Sequence, residues 1–148
     1  MRSVIFVCLG NICRSPLAQG IAEKLIDEKN LNITVDSAGT GDWHIGESPC
    51  ENSIKVASLN GLDISQQKGR QVTIHDLQTY DLVIALDQSN YDNLKKMGAD
   101  NVIKLGHFGY NNEDVPDPFF FPGFEGFDKV FTMIHNCVAQ LIDEKTDG

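Results

Sequence analysis

The run Cys8-Leu9-Gly10-Asn11-Ile12-Cys13-Arg14-Ser15-Pro16 puts a thiol and a guanidinium on either side of five residues, with a serine and a proline directly after. A loop of this length that leads into a helix can wrap backbone N–H groups around an anion. Gly10 permits the unusual dihedrals such a wrap requires. The following helix adds oriented donors and the positive end of its dipole. Arg14 offers a planar fork matched to two phosphate oxygens. A thiol in such surroundings sheds its proton readily and becomes a nucleophile at neutral pH. The pattern therefore reads as a phosphate-binding loop with the attacking group, Cys8, at its base. The plainer alternative is a cysteine that closes a strand as a small buried hydrophobe, and Cys-x5-Arg alone does not exclude it.

Phosphoryl transfer to a thiolate expels an alkoxide or phenolate, which needs a proton. The donor has to come from elsewhere in the chain and reach over the bound phosphate. Asp117, held between Pro116 and Pro118, is the best candidate, although Asp-Pro by itself is ordinary turn chemistry. Trp43, the single tryptophan, lies in an exposed-looking stretch bounded by Gly41 and Gly46. It is either a core residue or a wall of the pocket. The run Asp143-Glu144-Lys145 reads as a solvated helix end.

Such groups converge only if the elements between them bring strand ends together. Residues 4–8 (VIFVC), 33–37 (ITVDS), 82–86 (LVIAL) and 101–105 (NVIKL) read as strands. The continuous apolar run of the third suits a strand covered on both faces. Helical patterns cover 16–28, 52–59, 88–97 and 126–145, the first opened by Ser15-Pro16. Residues 106–127 lack helical period, and five phenylalanines crowd into 119–127, which marks a long functional loop. Strands alternating with helices predict an α/β fold. It would be a single domain, residues 1–148, with a four-stranded parallel sheet, helices on both faces and the phosphate-binding loop after the first strand. Sites in such sheets lie at the carboxyl ends of the strands, where Cys8 falls.

The 148 residues are 41% hydrophobic and 22% charged, with a net charge of −9. That acidity argues against nucleic-acid binding and against docking on anionic membranes. No run reaches the roughly 18 apolar residues of a membrane span, and no signal peptide is evident. Cys8, Cys13, Cys50 and Cys137 are too sparse for a disulfide framework. His44, His75, His107 and His135 do not join them at zinc spacing. We expect a cytoplasmic protein with no metal and no cofactor.

The segment CLGNICRSP resembles the active-site loop of the low-molecular-weight protein tyrosine phosphatases nearly position for position. The resemblance continues through DSAGT (36–40), Gly69-Arg70-Gln71, ALDQSN (85–90) and DPF (117–119), in the family's order and spacing. It implies that Cys8 forms a cysteinyl-phosphate and that Arg14 clamps the phosphoryl oxygens. Leu9, Gly10, Asn11, Ile12 and Cys13 would supply the loop's substrate contacts. Ser15 would hydrogen-bond the Cys8 thiolate and ease its departure, while Asn11 braces the loop from behind, with Ser37. Asp117 matches the aspartate of the family's DPYY segment, the general acid and later the base that activates water. Trp43 and the facing Phe119 and Phe120 would form aromatic walls around a phenyl ring. Asp36 and Asp87 are expected to act through structural hydrogen bonds. The implied partners are phosphotyrosine-containing proteins, with inorganic phosphate as product, and the expected assembly is a monomer or weak dimer.

Several positions depart from the family's commoner pattern. Phe119 and Phe120 replace two tyrosines, which removes any control through their phosphorylation. Gln67 stands where many relatives carry histidine, Gly69 where they carry alanine, and Cys50 where aspartate is common; we assign Cys50 no role. Ile12, where related arginine phosphatases carry threonine, points to an aryl phosphate. Cys13 is either backbone filler or, as the resemblance suggests, the partner of Cys8 in a reversible protective disulfide. The rival readings are an arsenate reductase, a phosphocarrier and a non-hydrolytic phosphoprotein-binding module. The first needs a mobile cysteine pair, which Cys50 and Cys137 do not suggest. The second needs neither Arg14 nor Asp117.

Overall fold

A computed structural model describes residues 1–118, 121 and 123–146. Phe119 and Phe120 lie outside the described residues. The chain runs β1 (Ser3–Cys8), α1 (Arg14–Glu28), β2 (Thr34–Gly39), α2 (Glu51–Leu59), α3 (Ile74–Thr79), β3 (Leu82–Ala85), α4 (Gln88–Lys96), β4 (Val102–Lys104), a 3₁₀ turn (Leu105–His107) and α5 (Glu125–Thr146). The sheet order is β2-β1-β3-β4 with every pairing parallel. From β1 the chain crosses first to one side and later to the other. The switch point therefore falls at the carboxyl ends of β1 and β3, where a crevice opens.

The apolar run of β1 is buried from Val4 to Cys8 because the sheet is covered on both faces. Val4, Phe6 and Cys8 point towards α1, α2 and α5, in the larger core cluster. Ile5 and Val7 point the other way, towards a smaller cluster with Leu77 of α3 and Leu94 of α4. This alternation is the two-residue period of a strand. It aims the Cys8 side chain at the face where α1 begins.

The elements expected from sequence are all present, with shifts at their ends that have physical causes. Helix α1 starts at Arg14 rather than Pro16, so the proline sits in the first turn, where a missing N–H costs nothing. Strand β2 runs on to Gly39, past the expected loop start, because β1 offers a ladder partner as far as Cys8. Strand β4 ends at Lys104, and Leu105 turns into the 3₁₀ segment. The short helix α3 has no counterpart in the sequence reading. Its signal is a capping box: the Asp76 N–H donates to Thr73 Oγ1 and the Thr73 N–H donates back to the Asp76 carboxylate.

Candidate active site

The loop from Leu9 to Cys13 leaves β1 and turns back into α1, and Cys8 Sγ sits beneath it. The Asn11 N–H donates to Cys8 Sγ at 3.2 Å, and Ser15 Oγ lies 3.0 Å from the same sulfur. Asn11 adopts the left-handed conformation (φ 59°), which asparagine tolerates better than most residues. Its side-chain amide donates to Ser15 Oγ (2.8 Å) and to Ser37 Oγ (3.0 Å), and its carbonyl accepts the Arg70 backbone N–H (3.0 Å). Both amide protons and the oxygen are thus used to tie the back of the loop to α1, β2 and the 69–72 segment. Such a brace holds the loop at a fixed curvature above the sulfur.

Arg14 is buried, and its Nη1 donates to Asp87 Oδ2 and to the Val115 carbonyl, each at 2.9 Å. Asp87 does two jobs: Oδ2 holds Arg14, while Oδ1 caps α4 by accepting the Asn90 N–H at 2.8 Å. The guanidinium is thereby held by the start of α4 and by the Val115 segment. Two backbone links and one from the Arg14 side chain carry the same join across the carboxyl ends of β1 and β3. Leu86 N–H donates to the Val7 carbonyl, Val115 N–H donates to the Leu86 carbonyl, and the Val115 carbonyl then receives Arg14. Asp117 follows two residues later, so the acid-bearing segment is anchored beside the loop.

Cys8, Leu9, Gly10, Ile12, Cys13, Arg14, Trp43, His44 and Asp117 line one cavity of about 170 Å³. Trp43 is 66% exposed, so it is not a core residue. Its ring rests on Gly41, where a Cβ would come within 2.1 Å of the indole. The Gly41 N–H in turn donates to the Leu9 carbonyl, which ties the tryptophan segment to the loop. Sequence reasoning missed His44, whose Nδ1 pairs with Glu47 Oε2 at 2.8 Å on the cavity rim. Only adjacency to Trp43 could have signalled it.

A second ring of polar groups supports the first. Arg70 Nε donates to Asp36, and its two terminal nitrogens grip Asp76 as a fork, at 2.8 and 3.1 Å. Burial works to raise the Asp76 pKa, but the hydrogen bonds from Arg70 and from Thr73 outweigh it and hold the carboxyl below its ordinary range. This fixes the segment whose Arg70 N–H meets Asn11. Gln67, the departure from the family's histidine, donates to the Pro16 carbonyl at 3.1 Å and so ties into the first turn of α1. Cys137 is fully buried on the inner face of α5, where burial pushes its thiol up to about 11. Cys50 comes beside the loop, with its sulfur 2.7 Å from that of Cys13. Among the described residues, no group of three or more His, Cys, Asp or Glu side chains is placed to hold a metal ion.

Gly39 lies opposite Cys8 in the β1–β2 ladder. A Cβ there would sit 2.7 Å from the Leu9 carbonyl oxygen and 3.1 Å from the Asn11 nitrogen, both backbone atoms of the loop. Gly39→Ala must therefore push the loop away from its brace. We expect a loss of about 1–3 kcal/mol in urea unfolding and a clear weakening of inorganic phosphate binding by calorimetry.

The sequence profile of the low molecular weight phosphotyrosine protein phosphatases matches residues 3–147. The low molecular weight protein-tyrosine-phosphatase PtpA of Staphylococcus aureus is 37% identical, over 97% of this chain and 93% of that protein. The structure of a protein tyrosine phosphatase from Entamoeba histolytica, with Hepes in its active site, superposes with a TM-score of 0.92. It is 30% identical and covers 100% of this chain and 99% of its own. YfkJ from Bacillus subtilis gives 0.88 at 36% identity, over 99% and 97% of the two chains. A Drosophila arginine phosphatase gives 0.90 at 29%, over 99% and 98%. A match that runs from β1 through α5 takes in the sheet, the loop and the acid-bearing segment together, and the chain belongs to the low molecular weight phosphotyrosine protein phosphatase family, a family of hydrolases.

Proposed function

We propose that this chain hydrolyses phosphotyrosine in proteins through a cysteinyl-phosphate intermediate, with residues 1–148 acting as one catalytic domain. The observation that carries the reading is the placement of Cys8 Sγ under the Asn11 N–H and beside Ser15 Oγ, at the base of a cavity that Arg14 and Asp117 also line. The phosphoryl group enters the loop, where the backbone N–H groups and Arg14 stabilise its equatorial oxygens. The Cys8 thiolate attacks phosphorus, the bond to the aryl oxygen breaks, and Asp117 in its acid form gives that oxygen a proton. Asp117, now a carboxylate, takes a proton from water as the water attacks the phosphocysteine. The sulfur–phosphorus bond breaks, inorganic phosphate leaves, and the Ser15 hydroxyl hydrogen-bonds the departing thiolate. The side chains of Asp87 and Asn11 touch no reacting atom in this scheme. They act as positioning residues for Arg14 and the loop.

The cavity walls favour an aryl ester. Trp43 supplies one aromatic surface, and Phe119 and Phe120 are assigned the facing one. Ile12 presents an apolar side chain where a hydroxyl would be needed to address a guanidinium. Ile12→Thr is expected to raise phosphoarginine turnover relative to phosphotyrosine, read as the ratio of kcat/KM values on matched peptides. An unchanged ratio removes Ile12 from the account of specificity. The reading as a whole is tested by offering phosphotyrosine, phosphoserine and phosphoarginine on one peptide scaffold. Phosphotyrosine should be turned over fastest, and a preference for either of the others overturns it. Among the described residues no helix is long and apolar enough to cross a membrane. The sparse, unbridged cysteines suit a reducing compartment, so we assign the protein to the cytoplasm, as a monomer or weak dimer.

A further inference from the structure

The second cysteine of the loop has a partner that no spacing in the sequence announces. Cys13 Sγ lies 2.7 Å from Cys50 Sγ, at the N-terminus of α2 and 37 positions further along the chain. The backbone holds this approach. The Cys50 N–H donates to the Ile12 carbonyl at 2.7 Å, and Ser53 Oγ donates to the Cys13 carbonyl at 3.0 Å. Ser53 Oγ also lies 3.0 Å from Cys50 Sγ. Two links thus join the loop to α2 on either side of the facing sulfurs. The pair is also polarised. Cys13 donates its thiol proton to Cys50, and that hydrogen bond, with burial, holds Cys13 protonated. The same hydrogen bond lowers Cys50 below the ordinary thiol range against the opposing effect of its burial. A thiolate beside a thiol is the arrangement from which disulfides form fastest. Both residues are half-buried rather than sealed in the core.

We propose that Cys13 and Cys50 form a reversible disulfide when the protein meets a hydroperoxide. The Cys50 thiolate attacks one peroxide oxygen, the O–O bond breaks, and the released hydroxide takes up a proton, leaving a sulfenic acid on Cys50. The Cys13 sulfur then attacks the Cys50 sulfur, the S–O bond breaks, and water departs with the thiol proton. Two thiols and one hydrogen peroxide become one disulfide and two waters, and a dithiol reductant reverses the change. The new bond falls where the loop and α2 are already joined, so the loop keeps its curvature. It also occupies the sulfur that would otherwise pair with Cys8. On the phosphatase reading above, the oxidised protein therefore keeps its Cys8 thiol and its activity.

The test is treatment of the wild-type chain with near-stoichiometric hydrogen peroxide, followed by non-reducing peptide mapping. The expected product is a Cys13–Cys50 linked peptide, two hydrogens lighter than the separate pair. The melting temperature should rise by about 5–10 °C, as closing a loop of this length implies, and fall back with dithiothreitol. Cys50→Ser should show neither the link nor the rise. A map dominated by a Cys8–Cys13 link, or one with Cys13 and Cys50 unlinked, overturns the proposal and leaves the phosphatase reading standing. If the link forms and p-nitrophenyl phosphate turnover disappears with it, the retained-activity claim fails while the disulfide stands.

Discussion

Cys8→Ser should abolish phosphotyrosine turnover, with kcat reduced by roughly five to six orders of magnitude. The substitution keeps the shape of the side chain and leaves the loop's brace untouched, since Asn11 meets Ser15, Ser37 and Arg70 without using the sulfur. What disappears is the ionisable thiol: the groups hydrogen-bonded to the sulfur among the described residues are the Asn11 N–H and the Ser15 hydroxyl, and neither is a base that could ionise a serine in its place. Binding and chemistry should therefore separate. Inorganic phosphate or a phosphotyrosine peptide should bind Cys8→Ser with an affinity within several-fold of wild type, measured by calorimetry, while single-turnover assays show no burst. Turnover within a hundredfold of wild type would remove Cys8 as the nucleophile.

Asp117→Ala should reduce kcat by about 10²–10⁴-fold, the range over which a positioned general acid acts. The loss should depend on the leaving group. Phosphotyrosine expels a basic phenolate that needs the proton, whereas p-nitrophenolate departs without much help. Asp117→Ala should therefore cost the phosphotyrosine peptide at least tenfold more than p-nitrophenyl phosphate. Dephosphorylation of the intermediate should slow as well, because the same carboxylate activates the water. An equal, small loss on both substrates would assign the acid to another group. Among the described residues, the lining of this cavity carries no other carboxyl.

Much of this architecture is legible in the residues themselves, and the reasons differ from element to element. The runs VIFVC and LVIAL are continuous and apolar because β1 and β3 are central strands with both faces covered, so they stand out from any amphipathic pattern. The loop is legible because its chemistry is local: thiol, glycine, asparagine, arginine and serine fall in one short run. The supports are hidden because they are long-range. Asp87 lies 73 positions from Arg14, Arg70 lies 59 from Asn11, and Cys50 lies 37 from Cys13. No periodicity relates such pairs, and only the crossing of the sheet brings them together. Helix α3 escaped for the opposite reason. At six residues it is too short to develop a helical period, and only the Thr73–Asp76 reciprocal cap marks it.

The run of links from Val7 through Leu86 and Val115 to Arg14 has a consequence for how the protein tolerates change. The exposed turn at Asn111 and Asn112 is the place in this stretch where length can change, because the chain is re-zeroed against the sheet when the Val115 amide docks on Leu86. Changes of length at that turn would leave Asp117 where it was, whereas an insertion beside Pro116, the one residue between Val115 and Asp117, would carry it out of range. The molecule thus keeps its ruler in three peptide groups at the carboxyl ends of its central strands and leaves one exposed turn open to remodelling.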